Sequence, residues 1–155
     1  MSLKKYRAKR KFVKSPEPKG LKVSKSRARI FVVQEHHAQN LHWDLRLAMG
    51  GVLKSWAVPK KPLLKPGPKR LAVQVEDHPL EYAKFSGKIP EGEYGAGLVK
   101  IWDKGKFEII KGSYQKGHLQ IIFFGSKLKG EYSLVLFKKE KGKKFWLFFK
   151  NKMVK

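Results

Sequence analysis

Residues Leu41-His42-Trp43-Asp44-Leu45-Arg46-Leu47 alternate apolar and polar side chains without interruption. A period of two belongs to a β-strand with one face on a core, so Leu41, Trp43, Leu45 and Leu47 are expected inside and His42, Asp44 and Arg46 together on the other face. Neighbours on one face stand about 6–7 Å apart. At that spacing His42 and Asp44 can converge on one metal ion while Arg46 reaches a phosphate oxygen beyond it. The plainer reading of such a row is a solvated cluster of charges, and two nearby features count against it.

The first is His36, six residues upstream of His42. A short connection through Gln39 and Asn40 returns it beside His42, and two imidazoles with one carboxylate make a three-ligand site that suits Mn²⁺ or Fe²⁺ better than a structural zinc. His37 competes for the same role, because adjacent residues on a strand face opposite ways. The second feature is Glu76-Asp77-His78-Pro79. There His78 could hold a phosphate oxygen or protonate a leaving alkoxide, its ordinary pKa of about 6.5 suiting a general acid. Tyr82 could add a hydrogen bond, and Lys54, Lys60 and Arg70 could bring positive charge to a phosphoryl group.

Outward from this stretch, period-two runs rich in Val, Ile, Phe and Trp predict strands at 30–34, 41–47, 52–58, 71–75, 98–102, 107–110, 119–124, 132–137 and 145–149. Gly50-Gly51 signals a hairpin, the proline-rich stretch 59–68 a loop, and 79–85 a brief helix. The expected fold is therefore mainly β: a small antiparallel barrel with short flanking helices, formed by residues 30–155, preceded by a basic arm at 1–29 that belongs to the same domain. Ile89-Pro90-Glu91-Gly92-Glu93-Tyr94-Gly95-Ala96-Gly97 fits no phosphate-loop or dinucleotide fingerprint and reads as a turn.

The charge is lopsided. Across 155 residues, 36 Lys and Arg face 12 Asp and Glu, a net +24. Residues 1–29 carry +11, residues 30–102 only +3, and residues 103–155 carry +10. Basic flanks around a nearly neutral, histidine-bearing centre suit a grip on a polyanion beside a reaction site, with nucleic acid the expected partner. There is no cysteine, hence no disulfide or thiolate chemistry. No apolar run approaches the roughly 18 residues of a spanning helix, so a soluble protein without membrane association is expected.

Four ordered segments resemble a known family: Phe31 to Leu47 (FVVQEHHAQNLHWDLRL), Gly51 to Lys60 (GVLKSWAVPK), Arg70 to Tyr82 (RLAVQVEDHPLEY) and Ile89 to Gly97 (IPEGEYGAG). The chain is similar there to the 3′-phosphoesterase domain of bacterial DNA ligase D and its stand-alone archaeal and bacterial relatives. Tyr6 to Phe12, Ser15 to Pro18, Leu128 to Gly130 and Trp146 to Lys150 extend the likeness over nearly the whole chain. The resemblance implies a β-barrel with a Mn²⁺ site, Co²⁺ or Zn²⁺ being alternatives, that removes a 3′-terminal ribonucleotide and then the 3′-phosphate from primer-template ends. It implies His36, His42 and Asp44 as metal ligands, and Arg46, His78, Lys60, Arg70 and Tyr82 around the scissile phosphate. Arg7, Arg10 and Lys54 are expected to bind nucleic acid. The implied setting is the prokaryotic cytoplasm at the nucleoid, with a monomeric enzyme handing healed ends to a separate DNA ligase. Two departures stand out: Trp43 where relatives commonly have Tyr, and Lys11 after Arg10 where an acid often follows.

Two other classes compete. A catalytically silent nucleic-acid-binding protein would show steep salt dependence with no role for metal. An iron oxygenase built on His42, Asp44 and a distant His78 or His118 would consume oxygen with iron.

Overall fold

The structure is a computed structural model that describes residues 2–12, 15–20 and 29–152. Nine strands form one antiparallel sheet: β1 (Ile30–His37), β2 (Leu41–Met49), β3 (Val52–Val58), β4 (Arg70–His78), β5 (Gly87–Ile89), β6 (Gly97–Ser113), β7 (His118–Gly125), β8 (Lys129–Glu140) and β9 (Lys143–Lys150). Their order is β1-β2-β3-β4-β9-β8-β7-β6-β5, and a further pairing of β1 with β6 closes eight of them into a barrel. β5 stays outside the ring, paired among the described residues with β6 alone. Closure removes every edge from the ring, which suits a chain whose strands are this apolar.

The barrel is filled by one side of each strand: Phe31 and Val33 from β1, Trp43, Leu45 and Leu47 from β2, Trp56 from β3, Phe123 from β7, Tyr132 from β8 and Trp146 and Phe148 from β9. Edge-to-face rings such as Phe31 on Phe123 and Trp56 on Trp146 lock this interior. A second, smaller cluster lies on the outside of the wall, where Val32, Ala48, Leu53 and Val99 are covered by Tyr6, Tyr82, Phe85 and Ile89. β2 is thereby buried on both faces, and only Leu41, at its open end, departs from the expected pattern, being 45% exposed.

Several elements differ from the sequence expectation. The N-terminal stretch is not an extended arm throughout: Lys4–Ala8 is a helix, α1, whose Tyr6 is fully buried on the barrel wall. Part of the arm, residues 21–28, lies outside the described residues. β1 runs on to His37 and β4 to His78, so both histidines at issue sit on strands rather than in connections. Two predicted strands, 98–102 and 107–110, are one 17-residue strand, β6. Gly105 does not break it; a Cβ there would stand 2.4 Å from the carbonyl oxygen of Phe124, so glycine is needed for β7 to approach. The brief helix appears as a 3₁₀ turn at Leu80–Lys84. Among the described residues no helix is long and apolar enough to cross a membrane.

Candidate active site

The site is built on the outer face of β1 and β2. Their register sets His36 opposite His42, with ring centroids 4.7 Å apart, and Asp44 follows two residues on along the same face. The Asp44 carboxylate lies 3.4 Å from His36 Nδ1, 3.2 Å from His42 Nε2 and 3.4 Å from Arg46 Nη2. One ligand atom from each of His36, His42 and Asp44 falls within 4.8 Å of the others.

The far side of each imidazole is already committed. His36 Nε2 faces the Gly95 carbonyl at 2.6 Å and His42 Nδ1 the Asn40 carbonyl at 2.9 Å. A carbonyl only accepts, so those nitrogens carry protons, which leaves His36 Nδ1 and His42 Nε2 as the atoms that face Asp44: each donates to the carboxylate when it carries a proton and can ligate a cation once that proton is displaced. Gly95 takes φ +75, a conformation that favours glycine and brings its carbonyl to His36. His37 points away, exposed and bonded to Glu35 at 2.8 Å. Burial alone would raise the Asp44 pKa, but the Arg46 charge and the hydrogen bonds from both histidines hold it well below the usual carboxylate range. Burial opposes the charged form of His42 as well, yet the Asp44 hydrogen bond and charge leave its pKa raised. Two oriented imidazoles beside an ionised carboxylate fit a divalent cation with coordination positions to spare.

Beyond Asp44, Arg46 is only 3% exposed. Its Nε donates to Gln34 Oε1 at 2.6 Å, and its guanidinium lies 4.8 Å over the Tyr82 ring. Gln34 is fixed in turn, donating to the carbonyls of Tyr82 and Phe85. Arg46 Nη1 is buried with no hydrogen-bond partner among the described residues, a donor that calls for an anion.

The opposite wall comes from the N-terminal segment. Arg10 donates from Nε to Glu17 at 2.9 Å, from Nη1 to Glu76 at 3.3 Å and from Nη2 to His78 Nε2 at 3.2 Å, with its guanidinium 4.0 Å over the Tyr6 ring. Glu17 also accepts from the Tyr82 hydroxyl at 2.7 Å and from Ser15 at 2.8 Å. A bulge between β3 and β4 breaks the alternation of β4, so that Val75, Glu76 and His78 all border the cleft. The whole encloses about 290 Å³. His78 Nδ1 faces the Glu76 carbonyl at 3.0 Å. Burial, then the charges of Arg46 and Arg10, push its pKa well below the ordinary value and keep the ring neutral.

A family model described as the DNA Ligase D 3′-phosphoesterase domain matches residues 34–136, well over half of the chain. The chain belongs to this phosphoesterase family. Among its relatives is a multifunctional non-homologous end joining protein LigD of Pseudomonas aeruginosa, 49% identical over 138 residues that make up 86% of this chain and 16% of that protein. The corresponding protein of Mycolicibacterium smegmatis is 43% identical over 152 residues, 92% of this chain and 19% of the relative. That of Mycobacterium tuberculosis is 44% identical over 136 residues, 86% of this chain and 18% of the relative. The chain thus spans less than a fifth of the length of these relatives. Family membership makes it a hydrolase acting on phosphate esters.

Of the residues singled out in the sequence, the structure brings His36, His42, Asp44, Arg46, His78, Tyr82 and Arg10 to one cleft. Tyr82 faces it with its ring, its hydroxyl being held by Glu17. Lys54 instead pairs with Asp77 at 3.0 Å, buried beside the cleft. Lys60 and Arg70 do not line it, and Arg70 Nε is bonded to the Lys61 carbonyl. Arg7 is exposed, with Nε on the Gly20 carbonyl. Sequence reasoning missed Glu17, Gln34, Glu76 and the Gly95 carbonyl. Glu17 had a signal: it is the single acid among the first 29 residues, and a lone carboxylate in so basic a segment implies a specific cation.

Proposed function

We propose that this chain is a metal-dependent 3′-end-healing enzyme of DNA repair by non-homologous end joining. It removes a terminal ribonucleotide from a primer strand by phosphodiester cleavage, then the 3′-phosphate, and leaves a 3′-hydroxyl that a separate DNA ligase can seal. The observation that carries this reading is the pair of imidazole nitrogens turned on the Asp44 carboxylate, all three ligand atoms within 4.8 Å of one another, next to the buried Arg46 donor that has no partner among the described residues. The names of the relatives, all multifunctional end-joining proteins, support the setting.

His36, His42 and Asp44 would hold the cation. When bound, a divalent ion such as Mn²⁺, with Co²⁺ or Zn²⁺ as alternatives, supplies Lewis-acid stabilisation of phosphoryl charge and acidifies water. Arg46 Nη1 donates to a phosphoryl oxygen, and its charge meets the negative charge that builds in the transition state. Gln34 and Tyr82 fix the plane of that guanidinium. Arg10, clamped by Glu17 and Glu76, presents a second guanidinium from the facing wall. His78, neutral and accepting from Arg10, positions it. Lys60, in the loop that follows β3, and Arg70, at the start of β4, add positive charge from outside the cleft.

The test is a 5′-labelled primer ending in one ribonucleotide, annealed to a template and incubated with Mn²⁺ or with EDTA, beside a His42→Ala variant. The expected result is a shortened 3′-phosphate product followed by the 3′-hydroxyl product, only with metal and only in the wild type. Binding without cleavage under any divalent ion contradicts the proposal.

A further inference from the structure

Beside the catalytic cleft lies a larger groove of about 730 Å³, with which it shares Val75, Glu76 and Tyr94. Its floor is β4, from Val73 to Asp77. One wall is α1 with the residues around it, bearing Lys4, Lys5 and Lys9; the other is the start of β9, bearing Lys143 and Lys144. These walls come from opposite ends of the chain, the +11 and +10 segments of the sequence.

Not all of this charge is available. Lys9 is paired with Glu76 and Lys54 with Asp77, so the two carboxylates of the floor are already neutralised. Lys4, Lys5, Lys143 and Lys144 form no ion pair among the described residues. Facing rows of unpaired ammonium groups repel each other at a cost, and a polyanion laid between them relieves it. Tyr94 stands where groove and cleft meet, 47% exposed, with the Lys9 ammonium 4.7 Å from its ring. An exposed ring backed by a cation is a surface on which a base can stack.

We infer that this groove seats the sugar-phosphate backbone of the nucleic-acid substrate, gripped from both walls, with Tyr94 stacking on a base at the entrance to the cleft. The inference rests on the end-healing reading above and specifies which surface carries the strand. It gives the two basic flanks of the sequence one shared task.

The experiment is fluorescence anisotropy of a labelled primer-template in EDTA across a salt series. It compares the wild type with Lys4→Glu/Lys5→Glu, with Lys143→Glu/Lys144→Glu and with a control pair on β6, Lys104→Glu/Lys106→Glu, whose side chains are exposed and do not line the groove. Each wall pair should lower the slope of log affinity against log salt by about 2, roughly one for each phosphate no longer neutralised. The control pair should leave the slope as it is, and Tyr94→Ala should weaken binding without changing it. Wild-type slopes in both wall pairs overturn the inference. So does an equal drop in the control pair, since binding would then follow net charge alone. Because this readout needs no turnover, wall-dependent binding by a chain that never cuts an end refutes the end-healing reading and leaves the groove standing. Metal-dependent cutting by a chain whose wall variants bind like the wild type refutes the groove alone.

Discussion

The two faces of β2 are buried to the same degree by opposite means. Inward, Trp43, Leu45 and Leu47 pack among the aromatic rings of the barrel. Outward, Asp44 is only 5% exposed, yet it is surrounded by His36, His42 and Arg46. The inner face is held by removal of apolar area from water, which is non-directional and tolerant of neighbours. The outer face is held by directed hydrogen bonds between charges, each needing its partner. The barrel therefore supplies rigidity and carries His36, His42, Asp44 and Arg46 on its wall, and the cover laid over that wall by the N-terminal segment and the Leu80–Lys84 turn completes the cleft with Arg10, Glu17 and Tyr82.

Truncating each side separately is the strongest way to break this division. Phe123→Ala, inside the barrel, should cost about 3–5 kcal/mol of stability while leaving turnover per folded molecule intact. Glu17→Gln, in the cover, should cost about 1–3 kcal/mol and lower turnover, because Arg10 and Tyr82 lose their shared acceptor. Chemical denaturation beside the primer assay reads both. Equal losses of turnover per folded molecule would erase the distinction.

A weaker effect separates the faces by pH, since the core contributes no titrating group of this kind. In metal-free protein, His78 has a depressed pKa, so below its unfolded value of about 6.5 the unfolded chain binds more protons and stability falls as pH falls. His42 has a raised pKa; its contribution is complete below about 6.5 and is lost as pH rises through its folded value. Asp44 and Glu76 have lowered pKa values, so their contributions hold above about pH 4 and are lost only in stronger acid. Stability should therefore peak near neutrality and fall between about pH 6.5 and 5, by at most about 1.4 kcal/mol per unit. Thermal melts in EDTA check this, and His78→Gln should flatten that acid limb.

The smallest effect belongs to Trp43, which packs inward and donates from Nε1 to Glu35 at 3.2 Å. Trp43→Tyr should cost under about 1.5 kcal/mol, with turnover unchanged, in the same denaturation and primer assays.

Much of this was legible in the sequence because it is local. Alternation alone grouped His42, Asp44 and Arg46, and a short hairpin returns His36 to His42 once β1 is allowed to run its full length. The choice between His36 and His37 needed the register, because either could face the site from an unplaced strand. The cover was not legible. Arg10 meets Glu76 across 66 residues and Tyr82 meets Glu17 across 65, and no periodicity encodes contacts at that range. Nor does alternation reveal the bulge that turns both Val75 and Glu76 toward the cleft. Lys54 read as a free cation because its partner Asp77 comes from the neighbouring strand.

The central claim is that the outer face of the β1–β2 hairpin is a metal centre. Titrating metal-free protein with Mn²⁺ and following the free-ion signal by electron paramagnetic resonance tests it most directly. One ion per chain should bind to the wild type and to His37→Ala, and binding should be lost in His42→Ala and Asp44→Asn. Undiminished binding in those last two variants, or loss of it in His37→Ala, would contradict the account.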